Sequence, residues 1–548
     1  MLKVTLNGKE SRVRAGIRIE ELLAQQPHPG HFPALGAIVN KRVVSLSYPL
    51  KSDADIVSID LTHREGMDIY RRTASMMLYA ALREVADDAT IEVGQSIGTG
   101  YFFEIAGIKV DQHLRDRLER SMITLVTKNI PIHVEWTTVE AAIEHFSKLG
   151  CADKVKLLSQ RRRSEVPLVQ LQNFSDLAHG PLASRTGLVD RFTLSLYEHG
   201  IVLDFPDESG KLADGVAAQP KLFATYLETK RWNELVKTRN VADLNEHCMR
   251  GTISDLVKVT EALHEKKIAA IADQIAANRN IRVVFIAGPS ASGKTTFAKR
   301  LVVQLKVHGI EPQEISLDSY YRPRDEIPRH ADGRLDFEHP AAIDLPLIND
   351  HLQKLLAGQE VAKSAYSFQT GNHQPHKVRT LRLDPGHILI VEGIHGLNDA
   401  IGVRVPQMYK FKIFVSALTQ LCIDSHNRIF TTDTRLCRRI VRDRVFRGAT
   451  AAETISFWPS VRLGEQKYIF PYQEGADVIF NSALIYEHAL LKTYAERFLV
   501  EVPRDHASFM EAYRLLRFFS SFIPILPDEV PHTSILREFI GKSAFQYT

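Results

Sequence analysis

The sequence predicts a multidomain chain of α/β and α+β folds, on three observations. From residue 281 onward, short apolar runs alternate with helical stretches, the texture of a parallel, doubly wound sheet covered by helices. At the start of the chain, Leu2, Val4 and Leu6 alternate with Lys3, Thr5 and Asn7, the period-two mark of a half-buried strand. Between these regions, residues 206–280 carry few strand signals and read as a helical connector. The 548 residues are enough for three or four domains at about 150 residues each.

The elements follow in order. Asn7-Gly8 supplies a hairpin turn, because both residue types accept positive φ. Residues 17–24 read as a helix and 38–39 and 56–59 as strands, giving a β-β-α-β-β mixed sheet crossed by one helix. Residues 71–85 form a long helical pattern without Gly or Pro, and 94–107 is Gly-rich with Tyr101, Phe102 and Phe103. Helices are expected over 114–127, 137–148, 221–239, 254–278 and 295–307. Strands are expected at 281–287, 315–317, 388–391, 411–415 and 478–480. Residues 486–548 read as mostly helical, with a Pro-rich break at 524–531.

Composition excludes several classes. Lys and Arg exceed Asp and Glu by 69 − 65 = 4, too little for bulk charge to argue a nucleic-acid partner. Cys151, Cys248, Cys422 and Cys437 are widely spaced and form no C-x-x-C. That excludes a disulfide scaffold, argues against a cysteine zinc site, and suits a reducing, cytoplasmic location. No signal peptide and no membrane helix are expected, because the first residues lack an apolar core and no apolar run reaches 18 residues.

The strongest motif runs from Gly288 to Thr295 and fits G-x-x-x-x-G-K-[ST], with a strand before it and a helix after. Glycines let the backbone turn so that N–H groups face a polyphosphate, and the helix N-terminus adds partial positive charge. Lys294 is expected at the β- and γ-phosphates and Thr295 on Mg²⁺. The chain lacks N-K-x-D and an LSGGQ-like element after the loop, which favours ATP over a GTPase or transporter reading.

Acids and arginines complete the pattern. Asp318 ends a short strand, where ligands gather in parallel sheets; it is either a proton acceptor or metal ligand, or a helix N-cap. Glu392 follows four apolar residues, as a Walker-B-like acid near the metal does. Arg435, Arg438, Arg439, Arg442, Arg444 and Arg447 crowd thirteen residues, with 435, 438/439 and 442 on one helical face. Such a stripe is a solvated or nucleic-acid face, or a lid over a transferred phosphate. With the loop in the same domain, the lid is favoured.

These residues resemble the uridine kinase/phosphoribulokinase family over 281–485. Asp318-Ser319-Tyr320-Tyr321-Arg322 is similar to the family's D-S-F-Y-R, Asp336-Phe337-Glu338-His339-Pro340 to its D-F-D-H-P, and Tyr366-Ser367-Phe368 to its Y-D-F. The segment from Arg435 to Asp443 resembles its arginine-rich lid. The resemblance implies Asp318 as catalytic base, assisted by Lys294, Arg435, Arg438, Arg439 and Arg442. It implies ATP on Gly288, Ser290, Ala291, Ser292, Gly293, Lys294, Thr295 and Thr296, Mg²⁺ on Thr295 and Glu392, and a nucleoside-like acceptor on Tyr321, Glu338, His339, Tyr366 and His373. Two departures touch the acceptor. Glu338 stands where the family has Asp, and Gly371 where it has a base-reading His, with His373 two residues on.

The N-terminal half resembles other modules. Residues 1–61 are similar to a TGS domain, a β-grasp module, and 62–205 to the editing-type second domain of threonyl-tRNA synthetase. The cues are Gly98-x-Gly100-Tyr101-Phe102-Phe103-Glu104, Phe174-x-Asp176-Leu177-x-x-Gly180-Pro181 and Ser184-x-Thr186-Gly187. The synthetase's H-x-x-x-H and C-x-x-x-H fall here on Arg72, Met76, Ala178 and Leu182, so a scaffold without editing chemistry is expected. The segments are thus 1–61, 62–205, a connector at 206–280, the kinase-like 281–485 and a helical 486–548. The function expected is ATP-dependent phosphorylation of a small hydroxyl acceptor, above all the 5′-OH of uridine or cytidine. The alternative is an RNA- or ribosome-associated ATP-binding regulator that docks through residues 1–205. A homo-oligomer is compatible with either.

Overall fold

The computed structural model describes residues 1–330, 333–367 and 370–547. Packing divides the chain into two units. One comprises Met1–Gln219, Asn240–Ala242 and Cys422–Arg428; the other is the rest of the chain.

In the first unit, β1 (Leu2–Leu6) and β2 (Lys9–Val13) pair antiparallel. Asn7 and Gly8 join them at φ 48° and 83°, the two positive angles that let a short turn follow strand twist. Helix α1 (Ile19–Gln25) and strands β3 (Gly36–Val39), β4 (Arg42–Ser45) and β5 (Ala54–Ile59) complete a sheet of order β2-β1-β5-β3-β4. Its core gathers Val4, Leu6, Ile19, Leu22, Ala37 and Ile56. The sequence reading lacks β4, because its turn, Asn40-Lys41 at φ 48° and 63°, contains no glycine.

Helix α2 (Arg64–Val85) begins before the expected residue 71. The Gly-rich stretch is a hairpin of β6 (Thr90–Ile97) and β7 (Gly100–Ala106). The unit continues with α3 (Gln112–Lys128), β8 (His133–Thr138), α4 (Val139–Lys148), α5 (Ala152–Ser159), β9 (Glu165–Leu171), β10 (Phe174–Leu177), β11 (Thr193–Tyr197) and β12 (Gly200–Asp204). These strands form sheets of order β10-β9-β8 and β11-β12-β7-β6. Residues 137 and 138 close β8 rather than opening a helix, because the Thr138 hydroxyl caps α4 by accepting from Ala141 N–H at 3.2 Å.

Helices α6 (Pro220–Leu235), α7 (Val241–Arg250) and α8 (Ile253–Ala277) come next in the chain. Then follow β13 (Val283–Ala287), α9 (Lys294–Val307), β14 (Pro312–Ser316), α10 (Leu345–Leu356), the hairpin β15 (Val361–Ser367) and β16 (Asn372–Leu381), β17 (Ile388–Glu392) and β18 (Lys410–Ser416). The chain ends with the hairpin β19 (Cys422–Asp424) and β20 (Asn427–Arg428), then α11 (Thr431–Phe446), α12 (Ala451–Tyr468), β21 (Val478–Asn481), α13 (Glu487–Val500), α14 (Phe509–Phe519) and α15 (Arg537–Ile540). The second unit's sheet has the order β14-β17-β13-β18-β21, and every pair is parallel. Each strand falls where the apolar runs predict one. Residues 312–316, however, make up the strand before Asp318, which lies in the 3₁₀ turn after it. Register aligns Ile286, Ser316 and Glu392 at one sheet edge, the edge where a parallel sheet binds ligands.

The hairpin Cys422–Arg428 belongs to the first unit although its sequence neighbours belong to the second. Lys154 Nζ lies 2.7 Å from Asp176 Oδ1 and 3.2 Å from Asp424 Oδ1, while His179 Nε2 meets Asp424 Oδ2 at 2.9 Å. His426 Nδ1 meets Asp176 Oδ2 at 2.6 Å. Burial pushes both carboxyls up, but Lys154 and the imidazoles outweigh it and hold both below the usual range. No helix among the described residues is long and apolar enough to cross a membrane.

Candidate phosphate-binding site

Strand β13 ends at Ala287, and the chain turns from Gly288 to Gly293 into α9. A Cβ on Gly288 would press on Val415 O of the neighbouring strand. Ala291 at φ 58° and Gly293 at φ 82° curl the loop back on itself.

Two arginines of α11 hold that curl. Arg438 Nη1 donates to Ala291 O at 3.4 Å and Ser292 O at 3.3 Å, and Nη2 donates to Ser482 O at 2.8 Å. Arg435 Nη1 donates to Ser290 O at 3.2 Å. In a planar trans peptide, C=O and N–H point opposite ways. The Ala291 and Gly293 N–H groups therefore leave the loop on the side away from both guanidiniums. Ser292 N–H turns inward instead, onto Pro289 O at 3.2 Å.

This arrangement corrects the lid expectation for Arg435 and Arg438. Both are buried. Arg435 makes a bidentate pair with Glu465, and its guanidinium lies 5.3 Å from the Trp458 ring centre. Arg438 pairs with Glu487 and lies 5.1 Å from that of Phe539. Their guanidiniums are committed to carboxylates and to the back of the loop.

Of the remaining arginines, Arg444 donates to Glu501 at 3.0 Å and the other three converge on Asp443. Arg439 Nε and Arg442 Nε donate to it at 3.2 and 2.9 Å, and Arg447 Nε lies at 3.6 Å. Arg439 Nη1 also donates to Ser290 Oγ of the loop at 3.0 Å. Arg442, then burial and Arg439, bring the Arg447 pKa down to about 10, against the pull of Asp443 and Asp318. Three cations around one carboxylate leave net positive charge beside the loop. The i, i+4 spacing of Arg439, Asp443 and Arg447 is the sequence signal for Arg447's part in it.

Facing them is a group of acids. Thr295 Oγ1 donates to Glu392 Oε1 at 3.3 Å. Burial pushes Glu392 up to about 7; Lys294 opposes this and Asp318 and Glu538 add to it. Asp318 is exposed, and its N–H donates to Ser316 Oγ at 3.3 Å.

The acceptor candidates cluster too. Tyr321 OH donates to Phe337 O at 2.9 Å, and the Tyr321 and Tyr366 rings are 5.7 Å apart. His373 Nε2 contacts Tyr321 O at 3.0 Å, and its ring is 5.5 Å from Tyr366. His339 accepts from Ala341 N–H at 3.0 Å, a cap rather than a free imidazole, and its ring lies 4.9 Å from Tyr468. Glu338 is only partly covered, yet its Oε2 is sealed from solvent and has no partner among the described residues. Burial pushes its carboxyl up to about 7, with Glu465 adding and Arg439 and Lys294 opposing. Gly371, at φ 73°, has no room for the missing His: a Cβ there would lie 2.8 Å from Arg324 Cβ. Phe368 lies outside the described residues.

Sequence reasoning misses Glu538, which carries no local motif. Glu538 Oε2 accepts from Thr296 N–H at 3.2 Å and from Thr296 Oγ1 at 2.7 Å, and Tyr547 OH meets that hydroxyl at 2.9 Å. A carboxylate thus takes donors that begin α9, the place where a phosphate is expected.

In the first unit, Arg72 packs against Gly180, where a Cβ would lie 2.7 Å from its Cζ, and Met76 and Leu182 are buried. Arg72 also donates to Pro181 O, so these three side chains are engaged in the unit's own packing and hydrogen bonding.

Residues 283–485 match the Phosphoribulokinase / Uridine kinase family. A uridine kinase of Deinococcus deserti is 30% identical over 209 residues, 38% of this chain and 91% of that protein. That of Brevibacillus brevis is 30% identical over 36% of this chain and 83% of its own length. That of Bacillus mycoides is 32% identical over 36% of this chain and 84% of its own length. This chain belongs to the phosphoribulokinase/uridine kinase family. The family match covers the loop, both arginine groups and the acids opposite them; Glu538 lies beyond it.

Arg438→Met strands a buried Glu487 and is expected to cost about 3–5 kcal/mol in urea unfolding. Adding Glu487→Met should recover much of that stability, while binding at the now untethered loop stays weak. Glu538→Gln removes a carboxylate from the start of α9, where a phosphate is expected. It is expected to tighten binding of inorganic tripolyphosphate about 2- to 10-fold in calorimetry; unchanged affinity would show that the carboxylate does not compete. Because folding raises the Glu338 pKa from 4.5 to about 7, ionising Glu338 disfavours the fold. The loss grows as pH rises from about 4.5 through 7. Glu338→Gln should therefore raise the melting temperature at pH 8 and leave it nearly unchanged at pH 4.

Proposed function

We propose that this protein is an ATP-dependent kinase that transfers the γ-phosphate to the hydroxyl of a nucleoside-like acceptor, the 5′-OH of uridine or cytidine. The observation that carries the reading is the loop whose carbonyls are tied to Arg435 and Arg438, with N–H groups of Ala291 and Gly293 turned the other way. Phosphate binding needs that polarity. The names of the three relatives, each a uridine kinase, supply the acceptor class.

In this mechanism the loop N–H groups and Lys294 bind the polyphosphate. Asp318 accepts the proton of the attacking hydroxyl at the open sheet edge. Arg439, Arg442 and Arg447 face the transferring group and offset the charge that spreads over it. Tyr321, Tyr366 and Glu338 hold the acceptor, and with Gly371 in place of the base-reading His, discrimination between bases is weak. Magnesium fits the donor set of Thr295 and Glu392, a hydroxyl and a carboxylate in a crowd of acids that a divalent cation would relieve. Those two residues would hold it, and it would neutralise phosphate charge.

We read residues 1–61 as a TGS-like β-grasp domain, supported by the order β2-β1-β5-β3-β4 with one helix. Residues 62–205 are an editing-type scaffold without its chemistry, 206–280 a connector, 281–485 the kinase and 486–548 its helical tail.

Asp318→Asn is expected to lower turnover about 10²- to 10⁴-fold with nucleotide binding kept. Labelled ATP and a nucleoside panel measure it. Full turnover by the variant would remove Asp318 as the base.

A further inference from the structure

We infer that His395 is a further acceptor-binding residue, which holds a ribose hydroxyl beside Glu338. The inference rests on the kinase reading above and adds a contact to the same site.

His395 lies three residues after Glu392, in a loop with no slack. A Cβ on Gly393 would come within 2.5 Å of Leu317 Cβ, and one on Gly396 within 2.6 Å of Ile286 O. Asn398 N–H ties the His395 carbonyl at 2.9 Å. The residue is pinned and only 1% exposed. Neither ring nitrogen has a hydrogen-bond partner among the described residues. Burial, with His339 and Lys294, brings its pKa down to about 4, so the ring is neutral near pH 7. The Glu338 main chain lies near enough to pull the other way, without reaching hydrogen-bond geometry.

A buried histidine that serves packing alone normally rests one nitrogen on a carbonyl or a hydroxyl. Here one donor and one acceptor are stranded on the imidazole, and Glu338, its neighbour, strands Oε2. A neutral imidazole beside a carboxyl group has no charge preference for an anion, so these atoms do not suit a phosphate. A hydroxyl donates and accepts at once, and two adjacent hydroxyls use all three atoms. Lys294 acts electrostatically on both residues, so this polar pair sits next to the phosphate loop. A vicinal diol on the acceptor meets these demands; the ribose of a ribonucleoside carries one and that of a 2′-deoxyribonucleoside does not.

The test compares the full-length wild type with His395→Leu, using labelled ATP with uridine or 2′-deoxyuridine, and records melting temperatures without nucleoside. Wild type is expected to favour uridine by about 100-fold or more in kcat/KM. In the variant, uridine kcat/KM should fall about 100-fold, chiefly through KM, with the KM for ATP unchanged and the two nucleosides within about 5-fold of each other. Its melting temperature should rise, because leucine strands no polar atom. His395→Asn, which keeps a donor and an acceptor, should restore part of the preference. Unchanged kcat/KM and preference in His395→Leu would overturn the inference alone. Wild-type failure on both uridine and cytidine would overturn the acceptor reading instead. In that case a lower melting temperature for His395→Leu would still overturn the inference, and a higher one would support it for another diol.

Discussion

The buried guanidiniums of Arg435 and Arg438 are the constraint on which the site depends. Taking two cations out of water is costly, and each is offset by a carboxylate, an aromatic face and main-chain carbonyls. What the fold obtains is direction. A loop of small residues with two left-handed angles has no intrinsic reason to present one peptide edge rather than the other. Anchoring the carbonyls of Ser290, Ala291 and Ser292 to one side decides it.

Around that anchored loop, charge is sorted into two opposing groups. Arg439, Arg442 and Arg447 outnumber the one carboxylate they share, so they repel each other. Opposite them, Glu338 and Glu392 are both pushed up to about 7 by burial and by neighbouring acids. Neither group is at rest by itself. A polyanion next to the arginines, and a cation or hydroxyl next to the acids, would relieve both, as expected of a site shaped for substrates rather than for stability. Glu538 satisfies the Thr296 donors at the start of α9 and at the same time adds to the charge that pushes Glu392 up.

The first unit follows a different logic. Met76 and Leu182 are buried there, and Arg72 packs on Gly180. The unit's concentrated charge lies in a closed network of Lys154, Asp176, Asp424, His179 and His426, each paired with another member. Paired in this way, the groups rigidify rather than react.

Much of the second unit was legible in the residues. The apolar runs before Gly288 and Glu392 place strands, and the loop spacing places a phosphate site, because both signals are local and periodic. In the first unit, β4 escaped for want of a glycine in its turn, and the Gly-rich stretch gave no hint that it was a hairpin. The arginine stripe was legible as charge but not as role. Helical spacing puts 435, 438, 439 and 442 on one face, yet that face is divided by what packs against it: Glu465 and Glu487 claim two arginines, and Asp443 gathers the others. His395 was within reach, three residues from a recognised acid, but an imidazole without partners is a property of its surroundings. Glu538, 242 positions from Thr296, was beyond reach. By itself the sequence determined the parallel strands and the helix around the phosphate loop and the chemistry present. The tertiary structure alone decided which charges are consumed by one another and which remain for a ligand, since pairing depends on distances that only folding sets.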